Sequence, residues 1–284
     1  MPLKFFPPAT GGTPLKKKSQ TFTSDGTFIV PPAIKKHDDG NHYVWVTATG
    51  GGGSGCAVVG YNGCSGGQGG EYCIHYRISV TPEETISVTI GSYGSYVSAT
   101  GYSNEQSLGN PGGATSFGVY LTLAGGAGGQ YMHGAGYIID AWGEKHIDDM
   151  AMPGASLPKS GDILSETTIM GGSISGGNRR NLTYYWGERA GESLSGPVLG
   201  YRGGMPVRHD YGSGTVSATG GGAGIFGQGG NARATHDSNV YGGHASWGSG
   251  GGGGGALTLQ RYGGPYTARS GRGGGGRLLV EWHE

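Results

Sequence analysis

Charge is scarce in this sequence: Asp, Glu, Lys and Arg make up 13% of the 284 residues, and 19 acidic groups balance 19 basic ones. That balance removes the basic footprint on which a nucleic-acid binder depends. No apolar run approaches the ~20 residues of a transmembrane helix. The N-terminal MPLKFFPP lacks the apolar stretch of a signal peptide, so folding in a cytoplasm is expected whatever the final location. Cysteine is also sparse. Cys56, Cys64 and Cys73 have spacings that match no zinc or redox motif, and an odd count argues against a disulfide framework. They read as free, buried thiols in preference to a Cys56–Cys73 or similar bridge.

Catalytic signatures are missing as well. There is no Gly-x-Ser-x-Gly elbow, no phosphate-binding Gly-x-x-x-x-Gly-Lys and no His-Glu-x-x-His. His146 with Asp148 and Asp149, His209 with Asp210, and His236 with Asp237 have no third ligand at fixed spacing and read as polar loop residues. Paired carboxylates for glycan cleavage would have to come from Glu83-Glu84, a turn, or from Asp148-Asp149. No catalytic residue, metal site or cofactor is expected.

What is abundant is glycine, 66 residues of it, together with 17 Tyr and 5 Trp. Gly-rich, charge-poor sequence ordinarily reads as linker or disorder. Against that stand segments that alternate apolar and polar residues as strands do. Thr21–Thr23 and Thr27–Val30 flank Asp25-Gly26, a hairpin signal. HYVWVTAT (42–49) is a strand that runs into Gly50. CIHYRISV (73–80) and TISVTI (85–90), joined by 81–84, form the clearest strand pair, with Ile74, Tyr76, Ile78 and Val80 on one face and Ile86, Val88 and Ile90 on another. Further strands are expected at 118–125, 214–220 and 277–282.

Between the strands glycine recurs every third residue. Gly60, Gly63, Gly66 and Gly69 form one series and Gly221, Gly224, Gly227 and Gly230 a second, with shorter echoes at Gly248, Gly251, Gly254 and at Gly91, Gly94. Three is the period of the polyproline II helix, which makes no internal hydrogen bonds. Collagen would need long Pro-rich Gly-X-Y runs, which are absent. Short glycine helices laid side by side in one chain would satisfy their backbones laterally. The fold expected is all-β/irregular: a β-hairpin framework enclosing a slab of packed polyglycine II helices, with aromatic loops at the tips. Residues 1–19, with Lys16, Lys17 and Lys18, read as an extended arm that is either disordered or docks onto a larger assembly.

The non-glycine stretches are expected to fall at the turns between rods. They supply Tyr93, Tyr96, Tyr102, Tyr131, His133, Tyr241, His244, Trp247, Tyr262 and Tyr266, rigid aromatic anchors of the kind binding loops use. The alternative is that such rings merely cap the slab.

Taken together, T-F-T...F-x-V-P, VWVTATGGGGSG, V-T-P-x-E-T-I-S-V-T-I-G and the closing G-G-G-G-x-L-L-V-E-W resemble the glycine-rich domain of bacteriophage tail-fibre tips, over roughly 20–130 and 214–282. The resemblance implies a sandwich of polyglycine II helices. It implies an adhesin borne on the virion's distal tail fibre, as a monomer on a trimeric fibre or a homotrimer. Its loops would recognise a host outer-membrane protein or surface glycan, its partners would be other tail proteins, and it would carry out no catalysis. Residues 20–284 then form the receptor-binding domain, and an insertion at about 130–205, carrying Trp142, Trp186 and Arg179-Arg180, departs from the pattern. A structural glycine-rich virion or wall protein and a glycan-degrading tail protein are the alternatives.

Overall fold

The computed structural model describes residues 16–60, 63–102, 105–132, 138–139, 145–146, 204–205, 207–211, 214–218, 220–222, 224–259 and 265–284. Among them there is no helix. The chain is built in three tiers: a β-sandwich at the base, a slab of glycine-rich rods, and a second group of small sheets at the far end.

The base consists of two antiparallel four-stranded sheets. One has the order β1-β21-β3-β6, with β1 (Lys17–Phe22), β21 (Arg277–His283), β3 (His42–Thr49) and β6 (Tyr72–Val80). The other has the order β11-β10-β7-β2, with β11 (Leu121–Leu123), β10 (Thr115–Phe117), β7 (Thr85–Thr89) and β2 (Gly26–Ile29). Their facing sides close one apolar core. Val44, Val46, Ile78, Leu278 and Trp282 from the first sheet meet Phe28, Ile86, Val88, Phe117 and Leu123 from the second. The Phe28 ring stands 5.4 Å from Trp282 and 5.8 Å from Phe117, so aromatic contact bridges the sheets at the centre of that core.

Both expected hairpins prove to be arches. β1 pairs with β21 while β2 pairs with β7, so Asp25-Gly26 lies where the chain passes from one sheet to the other. In the same way β6 pairs with β3 and β7 with β2 and β10, and 81–84 crosses between the layers. Alternating strands can be buried by facing each other as well as by pairing, and sequence alternation does not distinguish the two. Asp25 has another role: its carboxylate accepts the N–H of Ile90 at 2.7 Å, where β7 ends. The face assignment holds for Ile78, Val80, Ile86 and Val88. It breaks at Ile74, because the register between β3 and β6 shifts past Val46 and places Cys73 in the core instead.

The slab is held by hydrogen bonds with a period of three. Every N–H from Gly50 to Cys56 donates to a neighbouring rod: Gly50, Gly53 and Cys56 to the carbonyls of Glu71, Gln68 and Ser65; Gly51 and Ser54 to Gly113 and Asn110; Gly52 and Gly55 to Gly274 and Gly271. Carbonyls of this same rod accept from three others, Gly51 and Ser54 from Gly126 and Gly129, Gly52 from Gly94, and Gly53 and Cys56 from Gly253 and Ala256. Rod 50–56 is therefore bonded to six neighbours, as in a hexagonal polyglycine II lattice. Rod 250–255 is a second centre, bonded through successive residues to rods 50–56, 65–71, 220–222, 228–232, 242–246 and 270–276. A backbone that would otherwise be orphaned is satisfied in the slab interior without side chains.

The glycine series are shorter as rods than their spacing suggests. Gly60 and Gly63 belong to the strand ends around 61–62; the rod proper is 65–71, holding Gly66 and Gly69. Gly221 and Gly230 lie on different rods, because Gly224 and Gly227 bond to each other across a reverse turn. That turn sits at the base side, where its Phe226 ring lies under the Arg277 guanidinium at 4.9 Å.

Beyond the slab, the rods enter three small sheets. One has the order β17-β19-β4-β9, with β17 (Arg233–His236), β19 (Ala256–Leu259), β4 (Ala57–Val59) and β9 (Glu105–Ser107). A second, β18-β20-β8, holds β18 (Val240–Tyr241), β20 (Tyr266–Arg269) and β8 (Ser98–Gly101). The third, β12-β5-β16-β15, holds β12 (Tyr131–Met132), β5 (Gly63–Cys64), β16 (Gly214–Ala218) and β15 (Val207–Tyr211). β13 (Ile138–Ile139) and β14 (Lys145–His146) pair separately. β4 and β19 are parallel because rods 50–56 and 250–255 run in the same direction. Two small cores, one around Val58, Cys64 and Leu257 and one around Val59, Ala99 and Ala268, close this tier.

The cysteines differ from expectation. Cys56 and Cys64 are bonded as a disulfide, and only Cys73 is free and buried. The cause is the antiparallel bonding of rods 50–56 and 65–71, which places Cys56 N–H on the Ser65 carbonyl and so sets Cys64 beside it. Sequence spacing alone does not reveal which residues adjacent rods bring together.

Candidate binding surfaces

A residue on a rod can carry a side chain only where no neighbouring rod stands. Because the helix has three residues per turn, the outward positions recur every third residue, about 9 Å apart. Rods 91–97, 270–276 and 242–246 lie side by side at one flank of the slab: Gly276, Gly273 and Ser270 donate to Gly91, Gly94 and Val97, and Ala245 donates to Arg272. Their outward positions are Tyr93 and Tyr96, Arg269 and Arg272, and His244 and Trp247. All six belong to one surface.

Contacts between these side chains cross the rods. The Arg269 guanidinium lies over the Tyr96 ring at 3.4 Å from its centroid. Arg272 stands between Tyr93 at 5.2 Å and Trp247 at 5.6 Å, and those two rings are 5.9 Å apart. Such stacking fixes each guanidinium plane through its face and leaves the N–H groups at its edge available. Tyr96 and Trp247 remain 45% and 67% exposed, so the surface is open to a ligand.

His244 is part of the same arrangement. Its Nδ1 accepts the backbone N–H of Arg272 at 3.0 Å, which leaves Nε2 to carry the proton of the neutral ring. Burial, and then the charges of Arg272 and Arg269, hold its pKa below the ordinary 6.5. A depressed histidine pKa means that the folded protein resists protonation, so any stability it lends is present above 6.5 and fades as pH falls through that region. An NMR titration of the imidazole is expected to give a midpoint below 6.5, rising towards it in Arg272→Ala. An unchanged midpoint in that variant would remove the guanidinium as a cause.

The remaining aromatic candidates separate by position. Tyr102 and Tyr241 are 63% and 58% exposed at the far tier, beyond β8 and in β18. Tyr131 and Tyr266 are half-buried there; Tyr131 packs against a small core and Tyr266 opens β20, opposite Gly101. His133, Trp142, Trp186 and Tyr262 lie outside the described residues. The expectation that the rings would fall at turns is corrected for Tyr93, Tyr96 and His244, which stand along the rods themselves. Trp247 is in a turn, but at the base side of the slab.

Arg269 and Arg272 escaped the sequence reading. Their signal was present: they are three residues apart and in phase with the rod that they flank. It was hidden because the period had been followed only through glycine.

A family model described as a glycine-rich domain matches residues 23–283, and the chain belongs to that family. No curated protein matches the sequence.

Proposed function

We propose that this glycine-rich-domain chain is the receptor-binding tip of a bacteriophage tail fibre, a virion protein that attaches to a host surface protein or glycan without catalysis. The observation that carries this reading is the polarity of the fold. The backbones of Lys16 and Glu284 are bonded to each other at the base. The strand ends flanking 61–62, 103–104, 237–239 and 260–264 all lie at the opposite tier. A rigid slab thus separates an attachment end from an end bearing dissimilar loops, which can change without disturbing the lattice. The base offers a fibre or other tail protein somewhere to join, and the far tier faces the host.

Labelled protein incubated with intact cells from a panel of bacterial strains is expected to bind some of them saturably. Tyr102→Ala with Tyr241→Ala should weaken that binding about tenfold, as loss of an aromatic anchor does, with the thermal midpoint unchanged. Shortened surface glycans after incubation would point to an enzyme, and absence of saturable binding on every strain to a purely structural protein.

A further inference from the structure

We propose that the flank formed by Tyr93, Tyr96, His244, Trp247, Arg269 and Arg272 is a binding site for an acidic saccharide, separate from the loops of the far tier. It rests on the reading of the chain as a surface-binding protein, though not on the phage context.

Three observations converge on this ligand. First, among the described residues the ion pairs are Lys17 with Glu281, Lys18 with Glu284 and His75 with Glu281, all at the base. Arg269 and Arg272 have no carboxylate partner, although both are held in place by stacking. An ordered guanidinium whose N–H edge is unmatched suits a carboxylate or phosphate, which it can bind through two parallel hydrogen bonds. Second, the cations are interleaved with flat, partly exposed rings. Aromatic faces give contact area at little entropic cost to a ligand that has an apolar face of its own, as a pyranose ring does. Third, the arrangement repeats along the rods: Tyr96 with Arg269, then Tyr93 and Trp247 with Arg272, about 9 Å further on. A repeated ring-and-cation pair suits an oligomer with recurring charge. A nucleic acid could use the same groups, but the zero net charge provides no wider basic field to hold it.

The site should be fixed before the ligand arrives. Tyr93 and Tyr96 are carried by a rod whose Gly94 donates to Gly52 and accepts from Gly273, and Arg272 follows Gly271, which donates to Gly254. The side chains therefore project from a backbone bonded on several sides, so little ordering remains to oppose binding.

The charge on the ligand could be a uronic-acid carboxylate or a sugar phosphate, and the test uses both. Purified protein is titrated with oligogalacturonate, with the same oligomer methyl-esterified to remove its charge, and with mannose 6-phosphate. Binding is followed by calorimetry and by tryptophan emission. A saturable response to one or both acidic probes is expected, at least tenfold weaker for the methyl ester and falling as salt is raised. Arg269→Gln with Arg272→Gln should weaken it at least tenfold without moving the thermal midpoint. Trp247→Phe should remove the emission change while calorimetric binding persists. Response to oligogalacturonate alone assigns the ligand as a uronate, and to mannose 6-phosphate alone as a sugar phosphate. No saturable binding of either, equal binding of the ester, or an unaffected double arginine variant would overturn the site. Cell attachment by the parent protein alongside any of those failures would leave surface binding standing and remove only this flank. Acidic-sugar binding without attachment to any cell would do the reverse.

Discussion

Gly52→Ala is expected to abolish the native fold, or to destabilise it by more than about 3 kcal/mol, the upper range for overpacking a rigid interior. A Cβ there would overlap the Gly251 carbonyl, closer than the 3.0 Å that real Cβ atoms keep. The obstructing atoms are backbone, and their rod is itself bonded on every side, so neither partner can give way. Space alone would cause the effect, and two controls isolate it. At Gly275 a Cβ would meet nothing nearer than the Gly91 carbonyl oxygen at 3.8 Å, so Gly275→Ala should change stability by less than about 0.5 kcal/mol. At Gly248 there is open space but φ is +63°, and alanine should cost about 1 kcal/mol through the left-handed backbone alone. Denaturant unfolding of the three variants gives the ranking. If Gly52→Ala proved as mild as Gly275→Ala, the close-packed lattice would be wrong.

The second large effect is expected at Phe28. Its side chain is 1% exposed and stands between Phe117 and Trp282, joining the two sheets of the base. Removing the ring in Phe28→Ala should cost about 3–5 kcal/mol through lost transfer energy and the cavity left behind. Where that loss is felt matters more than its size. β3 ends at Thr49 and Gly50 already belongs to the lattice, and β21 begins at Arg277 directly after a rod. Thr115 joins the tiers further: its hydroxyl donates to the Thr49 carbonyl at 2.8 Å and accepts the Gly91 N–H at 2.9 Å. With no linker between sandwich and slab, calorimetry should show one transition shifted to lower temperature as a whole. A separate transition for the slab, unmoved by the substitution, would show two independent units.

The sequence made the strands legible and their partners obscure. HYVWVTAT has the bounds of β3, and RLLVEW falls short of β21 by a single residue, because alternation over a half-buried surface is a local property. Pairing is not local. Asp25-Gly26 has the composition of a hairpin turn, yet β1 finds its partner more than 250 residues away, at β21. Glycine spacing revealed the lattice for a physical reason: three residues per turn puts a neighbour against each face in sequence. It did not reveal rod ends, since Gly224 and Gly227 keep the period through a reverse turn. The flank surface was half legible. Tyr93, Tyr96, His244 and Trp247 were marked by residue type, whereas Arg269 and Arg272 become part of it only once three rods from distant segments lie together.

The six-fold bonding of rod 50–56 has a bearing on how the chain is made. Its partners lie at 65–71, 91–97, 109–113, 126–130, 250–256 and 270–276, so the middle of the slab is translated early and its neighbours arrive in turn until almost the last residues. During synthesis the exposed backbone of Gly52 and Gly55 has no intramolecular acceptor until Gly274 and Gly271 leave the ribosome. Loops must close over more than 200 residues before those bonds form, and long-range closure of this kind makes folding slow. The segment that ends up deepest is therefore the one that waits longest, and the newborn chain passes through a stage in which its future centre is an open edge.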